Sequence, residues 1–135
     1  MPVRPERKGV RWPEVPRPSA RKDQSIHWGE LQETHMIIVI VEFDVAATDR
    51  PVALAHLHAL REAACVMPGN LAYRVHASRE NETGITLVQE WQDEEAFSGY
   101  QTSDAFVASG PVLRPLMTGV PVSRRFRAEL LETVA

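Results

Sequence analysis

Few side chains in this 135-residue chain are of a type and spacing to do acid–base chemistry, and His76 stands first among them. An imidazole titrates near neutral pH and can take up or return a proton. His76 lies in Leu71–Arg79, which reads as a strand, with Gly84–Gln92 as its hairpin partner across the polar loop Glu80–Thr83. A loop of that length sets Arg79 opposite Gly84 and His76 opposite Leu87. His76 then shares one sheet face with Arg74, Gln89 and Trp91. A one-residue change of register carries His76 to the face opposite Trp91, because side chains alternate along a strand. On the first register a base, a cation and a flat indole wall share one surface, and an aromatic ligand could stack there. The plainer readings are a histidine hydrogen-bonded in the sheet or at an interface, and a core tryptophan at a strand end.

Other reactive types are scattered. His56 and His58 are two apart on a helix, so they cannot form the i, i+4 pair that chelates a metal. His27 and His35 fall in the N-terminal stretch. With no His/Asp/Glu cluster at ligand spacing, no bound metal is expected. The single Cys65 excludes an intramolecular disulfide and carries no mark of an activated thiolate. No glycine-rich phosphate loop, nucleophile elbow or Cys-x-x-Cys pair occurs, which removes nucleotide, hydrolase and disulfide-exchange functions. Glu90 faces away from Trp91 and reads as a structural partner for Arg125 or Arg127. The run Arg124, Arg125, Arg127 reads as charge protecting an edge strand.

These residues must be positioned by the elements around them. Met36–Phe43 is an Ile/Val strand apolar on both faces, so both faces need cover. Asp49–Val66 reads as a helix capped by Asp49, with Pro51 in its first turn and a stripe of Ala53, Leu57, Leu60 and Ala64. Pro68-Gly69-Asn70 turns the chain into the hairpin. Asp93 caps a short helix bearing Phe97 and Tyr100. Ser103 opens another with Phe106, Gly110, Leu113 and Met117 on one side, which Pro111 and Pro115 should bend or break. Val122–Leu131 alternates and reads as an edge strand with one polar face. The order β-α-β-β-α-α-β describes an α+β, ferredoxin-like split β-α-β fold, a four-stranded antiparallel sheet with helices on one face. The uncovered apolar face calls for a second copy in two-fold symmetry, so a homodimer is expected.

Residues 1–35 differ in composition. They hold five of the ten prolines, two of the three tryptophans, and seven basic residues against five acids. The expectation is an N-terminal arm, either mobile or docked on the domain or on a partner subunit, ahead of one domain at 36–135; Met36 could also be the natural start. A net charge of −3 argues against nucleic acid as a partner. No stretch approaches the roughly 18 apolar residues of a membrane span, and no apolar h-region follows the basic N-terminus. A cytoplasmic location is expected.

The stretches "MIIVIVEFDV", "MPGNLAYRV" and "LVQEWQDEEAFSGYQTSDAF" together resemble the antibiotic biosynthesis monooxygenase superfamily over Met36–Leu131. The last is the most specific: a Glu-Trp ending a strand, an acidic helix start, an aromatic, then a Ser-x-x-Phe helix opening. The resemblance implies a dimeric α+β barrel that oxygenates a phenol or quinol with dioxygen, without metal or flavin, in a pocket between sheet and helices. In such a pocket Trp91 and Phe106 would shape the walls, Tyr100 could donate to a phenolic oxygen, and Arg74, by the strand register above, completes the expected substrate-binding set. Many members carry a histidine where this chain has Ala105, so Asp104 would replace it as the base, beside His76. In its plainer role Asp104 serves the helix dipole. A haem-degrading relative would need an axial histidine at Gly110, and no histidine occurs from residue 77 onward, so haem is excluded. The expected function is a cofactor-independent monooxygenase of a small aromatic molecule. The alternative is a non-catalytic dimeric module that binds a small hydrophobic ligand or a partner protein.

Overall fold

Ten consecutive residues without glycine or proline, rich in Ile and Val, begin the described part of the chain as strand β1, His35–Asp44. The structure is a computed structural model and describes residues 35–135. The N-terminal arm expected at 1–35 therefore lies outside the described residues, apart from His35, which begins β1. After a 3-10 turn at Ala47–Asp49 come helix α1 (Arg50–Cys65), strands β2 (Asn70–Ala77) and β3 (Gly84–Trp91), and helices α2 (Glu94–Gln101) and α3 (Asp104–Leu113). A 3-10 turn at Arg114–Leu116 leads to β4 (Val122–Glu129). The sheet is antiparallel in the order β2-β3-β1-β4. This is the ferredoxin-like architecture, with the helices against one sheet face, as the order of elements implied.

The core follows the alternation. Ile37, Val39 and Phe43 of β1 point to the helices with Ile85, Leu87 and Trp91 of β3, and they meet the expected α1 stripe of Ala53, Leu57, Leu60 and Ala64. Asp93 caps α2 by accepting from the Ala96 N–H at 2.8 Å, and Ser103 caps α3 through Phe106. Two local expectations need correction. Asp49 makes no side-chain cap on α1, because it closes the preceding 3-10 turn. Helix α3 also runs through Pro111 to Leu113 and only then tightens into the 3-10 turn that contains Pro115.

The hairpin register is the consequential correction. Ser78 faces Gly84, His76 faces Thr86 and Arg74 faces Val88. The loop takes in Arg79 and is held by side chains: Ser78 Oγ accepts from Glu80 and Asn81 N–H, and Asn81 Oδ1 accepts from Thr83 and Gly84 N–H. From α1, Arg50 Nη1 donates to the carbonyls of Ser78, Asn81 and Gly84 at 3.0–3.2 Å. That one-residue difference moves His76 and Arg74 to the sheet face away from the helices, opposite Trp91.

The turn before β2 depends on a glycine. Gly69 has φ of 83°, its carbonyl accepts the Gln92 N–H at 2.7 Å, and a Cβ there would lie 2.4 Å from Ala96 Cβ. Gly69→Ala combines a left-handed backbone with overlap on α2, and the expected loss is about 2–3 kcal/mol. A urea titration should show the midpoint falling with the m-value unchanged.

Candidate functional site

Between the helix face of the sheet and α1–α3 lies a cavity of about 520 Å3. Its floor is Val39, Val41, Leu87 and Gln89; Leu57 and Leu60 of α1 close one side. Phe97 and Tyr100 of α2 with Phe106, Gly110 and Leu113 of α3 form the roof. From β4, Ser123 and Arg125 reach it. The volume is in the range of small-molecule sites, and the walls are mainly apolar with a few polar groups.

The aromatic cluster behind this wall is tightly connected. Tyr100 lies 5.1 Å from Trp91, 5.0 Å from Phe106 and 6.1 Å from Phe97, measured between ring centroids. Trp91 is fully buried, and its Nε1–H donates to Gln89 Oε1 at 3.0 Å. The hydroxyls of Tyr73 and Tyr100 share a hydrogen bond of 2.8 Å. Burial pushes the Tyr73 phenol up to about 12, against the lowering effect of that hydrogen bond. Burial, with Tyr73 alongside, raises Tyr100 much further. Both phenols stay neutral at ordinary pH, so neither supplies a base.

The residues singled out from sequence are thereby divided. Tyr100 and Phe106 line the cavity, Phe106 being about one-third exposed at 36%. Trp91 does not line it; it stands behind Tyr100 and packs the wall. Asp104 is exposed at the start of α3 and is not among the lining residues, while Ala105 next to it packs against the core. His76 is exposed on the other sheet face, and Arg74 there pairs with Glu90 at 3.4 Å. The expected convergence of His76, Arg74 and Trp91 fails because the loop is one residue longer than its polar core suggested.

Sequence reasoning also passed over a lining residue. Arg125, read as edge-strand charge, sits over the Phe97 ring with its guanidinium carbon 4.9 Å from the centroid. The strand's alternation held the signal: Val122 and Phe126 continue the apolar face of Ile38 and Ile40, so Ser123 and Arg125 must turn toward the helices. Glu90, expected to pair with Arg125 or Arg127, takes Arg74 instead, and Arg127 pairs with Glu94. Among the described residues no three His, Cys, Asp or Glu side chains group as metal ligands. Among them, too, no helix is long and apolar enough to cross a membrane.

Comparison with known proteins bears on this geometry. The family profile described as antibiotic biosynthesis monooxygenase matches residues 36–109, more than half of the chain. The chain belongs to this family. No curated protein matches it. Among solved structures, a conserved protein from Methanosarcina mazei is 22% identical with a TM-score of 0.69, the match covering 74% of this chain and 99% of that one. A candidate antibiotic biosynthesis monooxygenase from Caulobacter crescentus is 23% identical with a TM-score of 0.67, covering 76% and 98%. At these identities the likeness establishes the fold.

Proposed function

We propose that this chain is a dimeric, cofactor-independent monooxygenase that oxygenates a small phenol or quinol between its sheet and helices. The observation that carries the reading is the aromatic-walled cavity of about 520 Å3 in a chain of this family. Tyr100 and Phe106 hold the ring of the substrate, with Trp91 bracing Tyr100 from behind. The apolar floor excludes water from reactive intermediates. The Gln89 amide, whose oxygen is taken by Trp91, still has N–H donors that favour a phenolate over a phenol.

The chemistry needs an electron-rich anion and dioxygen. One electron passes from the anion to dioxygen, and the ring radical recombines with superoxide to form a C–O bond. The O–O bond of the resulting peroxide then breaks. For 1,4-dihydroxynaphthalene, one oxygen atom stays on the ring as 2-hydroxy-1,4-naphthoquinone, and the other leaves as water with two hydrogens of the substrate. The proton of the substrate hydroxyl goes to water at the open mouth, since His76 and Asp104 do not line the cavity. His76→Gln and Asp104→Asn are accordingly expected to keep the rate within about twofold, whereas a general base in contact with substrate is worth about a hundredfold or more. A hundredfold loss in either variant, by oxygen electrode, makes that residue the base.

Oxygen uptake with 1,4-dihydroxynaphthalene, with 18O2 incorporated into the product, tests the whole reading. No rate above the buffer control ends it for that substrate class. The second reading, a dimeric module that binds an apolar ligand without turning it over, is favoured by one feature. Among the described residues, no carboxylate or imidazole lines the cavity.

A further inference from the structure

The cavity has cations at its rim and, among the described residues, no anion in its lining. Arg125 enters from β4 and Arg114 from the end of α3, and the remaining polar groups are amides and hydroxyls such as Gln89, Gln101 and Ser123. The other arginine on this side of the strand, Arg127, is neutralised by Glu94 of α2. Arg124, on the other face, is neutralised by Glu42. Among the described residues, neither Arg125 nor Arg114 takes part in an ion pair. Charge on β4 is thus paired on both sides of Arg125 and left open at the cavity.

The Arg125 guanidinium is also arranged for recognition. It lies over Phe97, itself part of the wall, with 4.9 Å from the guanidinium carbon to the ring centroid. A guanidinium held against a ring by its flat face keeps its N–H groups in its own plane, available for a bidentate bond to a carboxylate. A planar aromatic ring seated against Phe106 and Tyr100 would present its substituent among these polar groups. We infer that the cavity selects a planar aromatic bearing a carboxylate or a comparable fixed anion, with Arg125 as the main anchor and Arg114 as the second. This rests on the reading that the cavity is the substrate site, and it narrows the substrate class from phenols in general to acidic ones.

Titration calorimetry with 2-naphthoate and the uncharged, similarly shaped 2-naphthamide tests it on the full chain. Near neutral pH and about 0.05 M salt, where screening is weak, naphthoate should bind at least about tenfold more tightly. Arg125→Gln should bring the two ligands within about threefold of each other, with the amide's own affinity little changed, and Arg114→Gln should remove a smaller part. Added salt should weaken naphthoate alone. Circular dichroism checks that the variants, both at exposed arginines, remain folded. Equal binding of the two ligands, binding of neither, or a preference that survives Arg114→Gln/Arg125→Gln overturns the inference. The two proposals fail separately. Oxygen uptake on a neutral quinol without a preference for naphthoate leaves the oxygenase and removes the anion site; the preference without oxygen uptake by any quinol does the reverse.

Discussion

Ile40→Arg is expected to turn a dimer into monomers. The sheet face turned away from the helices carries Ile38, Ile40, Val88 and Phe126 in adjoining register positions, with Val122 nearby. Phe126 is 46% and Val122 49% exposed in the single chain. Ion pairs frame this apolar centre, Arg74–Glu90 on one side and Arg124–Glu42 on the other, at 3.4 and 3.3 Å. An apolar centre within a charged border is how stable interfaces are built, and a sheet face paired with its own copy is the simplest closure. Ile40 sits between Val88 and Arg124 on the central strand β1. An arginine there meets its like across the strand and must be desolvated in the partner's apolar centre. The cost is about 3 kcal/mol or more, roughly a hundredfold in dimer dissociation constant. Sedimentation velocity over a concentration series measures it. A wild-type protein already monomeric at about 10 μM, or a variant as dimeric as wild type, removes the dimer from the proposal.

Trp91→Ala should be the most damaging single change in the folded domain. The indole is fully buried, touches both Phe97 and Tyr100, and spends its N–H on Gln89. Truncation leaves a cavity next to an existing one and a buried amide oxygen without its donor. Large-to-small changes of this kind cost about 3–5 kcal/mol, a large part of the 5–15 kcal/mol that holds a domain of this size together. At about 4–8 °C per kcal/mol, melting should fall by at least roughly 12 °C. Trp91→Phe separates packing from contact with ligand: it restores most of the volume and leaves Gln89 unpaired. Since Trp91 lies behind the wall, Trp91→Phe should lose about 1–3 kcal/mol of stability while naphthoate affinity stays within about twofold. A loss of ligand affinity without a loss of stability would put the indole in the cavity after all.

The fate of the candidate residues shows which signals were local. Tyr100 and Phe106 reach the cavity because each sits on a short helix whose start is written beside it, at Asp93 and Ser103. A cap acts over three residues, so neighbours in sequence suffice to place it. His76 failed for the opposite reason. Its face depends on the length of the loop, and that length is settled by Ser78 and Asn81 bonding inside the turn and by Arg50 reaching in from α1. The Ser78 and Asn81 pattern could have warned of a longer turn, since such side chains often replace strand hydrogen bonds. The grip of Arg50 could not be foreseen, because it joins residues 28 and more positions apart.

Elements, their order and most of their apolar faces, that of β2 excepted, were legible in the amino-acid order alone, because period-2 and period-3.6 patterns and end signals act between near neighbours. They sufficed for a four-stranded sheet with helices on one face; the family was legible through the resemblance of three short motifs instead. Only the tertiary structure decided which charges meet the cavity. Arg125 and Arg127 are two residues apart on one strand face, yet Glu94 from another element neutralises one and leaves the other over Phe97. Trp91 likewise became wall support rather than wall once α2 had packed Phe97 and Tyr100 against it. Charge pairing and depth are properties of contacts between distant segments, and no pattern along the chain encodes them.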